Sequence, residues 1–215
     1  MVLEVIIMGN LSPFHSTLKW ALESTWPMLT LFLVIIMISR ISFIIINKEK
    51  VVLYKDVFIL LSILYLLMLY FMLLSTEYST SGVNLYIFRE MSRYNIGSKS
   101  FFYNVIGNIV LFVPFGFILS YFIKAKKIRH VVIPSFIVSL SAEIIQYQIG
   151  RAFDVDDVLL NTLGALIGFM IYISLREIKY KLPEFLRKNW FYNTLSIILL
   201  IGVIMLIVSI WLVKL

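Results

Sequence analysis

"RAFDVDDVLLNTLGALIG" (residues 151–168) opens on Arg151 and three aspartates, Asp154, Asp156 and Asp157, and then turns almost wholly apolar. The apolar character continues to residue 175, long enough for a helix to cross a bilayer core, which takes about 20 residues. Asp157 and Asn161 stand four positions apart and share one helix face. Gly164 and Gly168 continue that face as a pair of small residues that admits a second helix at close range. A charged side chain facing hydrocarbon costs several kcal/mol. The acids at the mouth of this helix must therefore be capping it, be paired, or stand in water.

The rest of the chain sets the class. Its 215 residues are 61% hydrophobic and 14% charged, with a mean hydropathy of +0.96. A soluble domain is about half apolar and a quarter charged, so a soluble globular fold is excluded. Apolar runs at 27–46, 57–76, 101–123, 131–149, 157–175 and 194–213 predict an all-α polytopic transmembrane bundle of about six spans, five at the least. Within this single membrane domain, 1–26 reads as an interfacial segment, with Trp20 and Trp26 beside Lys19 and Glu23. Residues 27–76 hold two N-terminal spans, 80–172 a core of three, and 194–213 the last. Pro27 is expected in the first turn of the first span. The start, "MVLEVIIMGN", lacks a basic region and is not read as a cleaved signal peptide.

Lysine and arginine counts give the orientation, because short cytoplasmic loops carry the excess. Loops 47–56, 124–130 and 176–193 hold twelve basic residues, against six on the opposite side. Those loops are therefore expected in the cytoplasm. Both termini, the 77–100 loop and the 150–156 turn are expected outside. The net charge of +7 suits an anionic inner leaflet and calls for no nucleic acid.

With that topology, polar residues from three spans reach the same outer third of the membrane. The third span brings Asn104 and Asn108, with Pro114 and Gly116 deeper, where a kink or close packing is expected. The fourth brings Glu143, Gln146 and Tyr147 on one side, and the fifth brings Asp157 and Asn161. Asn84, Arg89 and Arg93 in the preceding loop join Arg151 on that side. These arginines are the cations available to balance Glu143, Asp154, Asp156 and Asp157. The bland reading stands beside this one: the aspartates cap the fifth helix, the asparagines are interhelical glue, and the glycines are packing, within the chain or at a dimer seam.

No metal or cofactor is called for. The chain has no cysteine, and His15 and His130 lie far apart. "DVDDVLLN" fails as a calcium loop, since it lacks the glycine and places Ala165 where the closing glutamate belongs.

Three stretches together resemble the VanZ-like family of bacterial membrane proteins: "VNLYIFRE" (83–90), "NVIGNIVLFVPFGFIL" (104–119) and "SAEIIQYQIGRAFDVDDVLLNTLGALIGF" (141–169). The family pattern falls on Asn84, Arg89, Asn104, Gly107, Asn108, Phe112, Pro114, Gly116, Glu143, Gln146, Arg151, Asp154, Asp156, Asp157, Asn161 and Gly164. One departure is "LYIF" where members often have "LIPF". The resemblance implies a bacterial plasma-membrane protein linked to low-level resistance to teicoplanin and related glycopeptides.

Two functions follow. In the first, a non-enzymatic resistance or envelope factor uses the outer pocket to hold a glycopeptide or a lipid-linked, anionic headgroup. The arginines would engage phosphate or carboxylate, and the acids sugar hydroxyls or amines. In the alternative, a membrane-embedded hydrolase or transferase acts on a lipid-phosphate or glycolipid, with Glu143 or Asp157 as general base.

Overall fold

The computed structural model describes residues 2–74 and 82–213; the side chains of 2–24, 74, 90, 203, 204 and 206–213 lie outside that description. In chain order the elements are α1 (Val2–Asn47), α2 (Leu53–Leu74), β1 (Val83–Asn84), α3 (Arg89–Arg93), α4 (Lys99–Phe101), a π-helical turn (Phe102–Ile106), α5 (Gly107–Phe122), α6 (Arg129–Gln148), β2 (Phe153–Asp154), α7 (Val155–Lys181), α8 (Glu184–Arg187) and α9 (Asn189–Val213). Five helical stretches among the described residues are long and apolar enough to cross a membrane: Thr25–Asn47, Leu53–Leu73, Lys99–Phe122, Arg129–Gln148 and Val155–Lys181. This is the multi-pass α-helical bundle expected from composition. The run at 194–213 falls on α9, most of whose later side chains lie outside the description.

Helix α1 runs unbroken for 46 residues, about 69 Å at 1.5 Å per residue. Pro27 is the third residue of the Thr25–Asn47 span, in its first turn as expected, although the helix itself begins earlier, at Val2. The interfacial placement expected for 1–26 falls on residues whose side chains are largely undescribed.

The chain divides into two compact units, Met1–Met28 with Leu66–Leu175, and Leu29–Tyr65 with Arg176–Leu215. In the first unit, α5 and α7 meet backbone to backbone. A Cβ added at Gly116 would fall on the backbone of Ala165, one at Gly164 on the Ile109 carbonyl, and one at Gly168 on the Val113 carbonyl. The glycine pair is thus a seam within the chain, and Gly116 completes it from the opposite helix. Ala125, Val131 and Phe169 bury a small apolar cluster, with Leu119, Leu166 and Ile173 around it.

Helix α6 ends in a Schellman motif. Arg151 N–H donates to the Gln146 carbonyl at 3.0 Å and Gly150 N–H to the Tyr147 carbonyl at 3.2 Å. Gly150 takes a φ of 94° there, a conformation that glycine adopts without steric cost. The turn sends the chain into β2, which pairs in parallel with β1: Val83 faces Phe153 and Asn84 faces Asp154. This two-residue bridge was not expected in an all-α chain. It fastens the loop after α2 onto the mouth of α7.

Candidate functional site

The three aspartates at the mouth of α7 have separate tasks. Asp154 is the N-cap: its Oδ1 accepts the Asp156 N–H at 2.8 Å, as a cap oxygen accepts from the second helical residue. The same Oδ1 accepts from Asn84 Nδ2 at 3.1 Å across the parallel bridge. The Asp154 N–H in turn donates to Glu143 Oε2 at 3.0 Å. Glu143 is thereby accounted for as the acceptor that holds the turn after α6.

Asp156 caps another helix. Fully buried, it accepts the Phe88 N–H on Oδ1 at 2.6 Å and the Met91 N–H on Oδ2 at 3.4 Å. These are the cap and third-residue amides of α3, the donors a helix start leaves open. Phe88 holds a φ of 66°, left-handed for a non-glycine residue, so the carboxylate pins a conformation the sequence alone resists. Asp157 points to the neighbouring span, where Asn108 Nδ2 donates to its Oδ1 at 2.5 Å.

Deeper in the unit, Asn161 Nδ2 donates to Ser139 Oγ at 2.9 Å, linking α7 to α6. Gln146 Nε2 donates to the Leu73 carbonyl at 2.6 Å, linking α6 to α2. Among the described residues, the remaining amide oxygens of both side chains are buried without a hydrogen-bond partner. Tyr147 does not share this face; it is exposed, whereas Ser135, Ser139, Ala142, Glu143 and Gln146 are buried.

Between these elements lies a cavity of about 60 Å³, lined by Met91, Tyr94, Asn104, Val105, Asp154, Asp156, Asp157 and Leu160. That is room for a few waters or one small polar group. Asn104 reaches the cavity from the π-helical turn, where Gly107 N–H donates to the Phe102 carbonyl five residues back. Such a turn inserts one residue into the helical register. Its side chain is also anchored, Nδ2 donating to the Ser100 carbonyl at 2.9 Å.

The arginines take other places. None lines the cavity, and the Arg89 guanidinium stacks over the Tyr86 ring at 5.6 Å. Among the described residues, neither Glu143 nor Asp157 forms a direct ion pair with an arginine, but the charge of Arg151 acts on both carboxyl groups from nearby. Amide and backbone N–H groups are the direct donors to these carboxyl groups. Among the described residues no group of three or more acids, histidines or cysteines could hold a metal ion.

Residues 57–176 match the protein family described as VanZ/LLP1, more than half of the chain. The chain belongs to the VanZ/LLP1 family. It is also similar to "Protein VanZ" of Enterococcus faecium, 30% identical over 119 residues that cover 53% of this chain and 71% of that protein. No solved structure matches it. The VanZ/LLP1 match takes in every acid and amide of the site and reaches back into α2, where the Leu73 carbonyl accepts from Gln146.

Sequence reasoning missed Met91, Tyr94 and Ser139. Ser139 had a signal, since Ser135, Ser139 and Glu143 repeat every four residues. Met91 and Tyr94 had none, because a short helix held by a remote carboxylate leaves no local pattern.

Proposed function

We propose that this VanZ/LLP1 protein is a non-enzymatic cell-envelope factor of the glycopeptide-resistance kind. Its extracytoplasmic pocket takes an amine- or hydroxyl-bearing group of a glycopeptide or a lipid-linked cell-wall precursor. The resistance role comes from the family resemblance, and the outward sidedness from the basic-residue count. The observation that carries the choice of group is the lining: Asp154, Asp156 and Asp157 offer acceptors, while Asn104 and Tyr94 are neutral. Carboxylates repel a phosphate and attract an ammonium, so the anionic headgroup expected from the arginines gives way to a donor-bearing group. Asp157 is the contact residue, and Asn108, bonded to it, is a positioning residue.

Expression in a glycopeptide-susceptible Gram-positive host tests this. The wild-type chain should raise the teicoplanin concentration needed to stop growth. Asp157→Asn keeps an acceptor for Asn108 but removes the ionisable carboxyl group, and should abolish the rise at unchanged membrane abundance. Unaltered tolerance at equal abundance would count against the pocket.

A second reading, a membrane-embedded hydrolase or transferase with Asp157 as general base, is favoured by the room for water beside that carboxylate. Glu143 is buried, absent from the lining and committed to the Asp154 amide, so it is the weaker base candidate. Mass spectrometry of envelope lipids incubated with purified protein separates the readings. A new product lost in Asp157→Asn supports the enzyme.

A further inference from the structure

The second unit carries a cluster that the outer pocket does not explain. Where α2 starts, α7 ends and α9 starts, Tyr54 and Tyr192 pack with ring centroids 5.2 Å apart. The Lys55 ammonium lies 5.9 Å from the Tyr54 ring centroid, and the Lys179 ammonium 5.6 Å from that of Tyr192. The tyrosine pair is tied across helices: Tyr54 N–H donates to Asn193 Oδ1 at 3.1 Å, and Tyr54 OH donates to Asn189 Oδ1 at 3.5 Å. Both asparagines thus use their carbonyl oxygens on Tyr54, and their NH2 groups make no hydrogen bond among the described residues. What remains is a set of donors: two ammoniums and two amides.

Three acids of this unit pair with arginines. Arg40 holds Asp56 at 2.8 Å and Glu49 at 3.1 Å, and Arg176 holds Glu177 at 3.4 Å. The lysines therefore rest on aromatic faces, which attract a cation without using its N–H donors. Glu184 offsets part of the surrounding charge, against Lys48, Lys50, Lys181, Arg187 and Lys188 in the same unit. From Val57 inward α2 is apolar, as is α9 from Leu195, so the cluster sits where a span meets headgroups, the level at which tyrosine concentrates.

We infer that Lys55 and Lys179, mounted on the Tyr54–Tyr192 pair with Asn189 and Asn193, form a headgroup site for an anionic phospholipid of the surrounding membrane. The lipid phosphate accepts from the ammoniums and amides while its chains run along the apolar helices. By charge count this end faces the cytoplasmic leaflet, where anionic lipid also supplies a surface potential. The site is independent of the outer pocket.

Full-length protein in nanodiscs of phosphatidylcholine, titrated with phosphatidylglycerol and followed by native mass spectrometry, tests the site whatever the orientation. The wild type should retain phosphatidylglycerol. Lys55→Gln/Lys179→Gln should weaken it roughly thirtyfold, from about fivefold per juxtamembrane lysine. Lys126→Gln/Lys127→Gln removes the same charge from the loop after α5, which contributes no residue to the site, and should leave retention within about twofold. Equal losses in the two double variants would reduce the effect to diffuse charge and overturn the site. Undiminished retention in Lys55→Gln/Lys179→Gln, with circular dichroism matching the wild type, would overturn it too.

Discussion

Alanine at Gly116, Gly164 or Gly168 should lower stability by roughly 1–3 kcal/mol each, whereas alanine at Gly202 should change it by less. The sign is the informative part. In a helix interior, alanine is favoured over glycine by about 1 kcal/mol from propensity alone. Only a helix–helix contact with no room for a methyl reverses that preference. At Gly168 the added carbon would lie 2.6 Å from Phe117 N, and at Gly116 it would lie 2.5 Å from Ala165 Cα. Backbone atoms cannot rotate aside as a flexible side chain does, so α5 and α7 would have to part. At Gly164 the nearest contacts include the Phe112 Cβ at 3.1 Å as well as the Ile109 carbonyl. Gly202 has nothing within 4 Å and serves as the internal control. Thermal unfolding of the solubilised protein, followed by tryptophan fluorescence, measures the series. Neutral or stabilising alanines at Gly116 and Gly168 would remove the seam. Destabilisation that appears only as loss of a dimer would move it outside the chain.

Asp156→Ala should free the 83–94 loop from the rest of its unit at a cost of roughly 2–5 kcal/mol, the range for two charge-assisted hydrogen bonds lost together. The carboxylate is fully buried and receives two amides of α3, and the left-handed Phe88 depends on one of them. Without it, those amides must find water, and α3, only five residues long, has too few internal bonds to persist. Asp156→Asn keeps one acceptor oxygen and should fall between wild type and alanine. Limited proteolysis at Arg89 and Arg93 reads the change: the wild-type loop resists, the alanine variant is cut. Equal protection in both would show that the loop is held by something else.

The membrane class was legible because it rests on composition and run length, which no tertiary detail can alter. The meeting of Asn108 with Asp157 was legible too, since both stand near the start of an apolar span on a face marked by four-residue spacing. What the sequence concealed was division of labour. Asp154, Asp156 and Asp157 look equivalent in "DVDD", yet one caps its own helix, one caps a helix in a distant loop, and one meets a neighbouring span. Remote capping and the Asn84–Asp154 bridge join positions 68 to 70 residues apart, and no local periodicity records such pairings. Charge balance pointed to arginines and gave no sign of the amide donors that Asn108 and the Asp154 and Phe88 backbone supply. The π-helical turn at Phe102–Ile106 was likewise invisible, because its sequence keeps an ordinary helical composition.

The loop after α2 is fastened to the mouth of α7, on the side proposed to be extracytoplasmic. The chain has no native cysteine, so a double variant, Val83→Cys/Phe153→Cys, isolates that contact, the two residues being register partners. Neighbouring strands lie about 4.8 Å apart, within the Cα range a disulfide spans. Intact cells treated with a membrane-impermeant oxidant should yield the bridged species on a non-reducing gel. Absence of the bridge in intact cells, with its appearance only after the cytoplasmic side is opened to the oxidant, would contradict the pocket's placement.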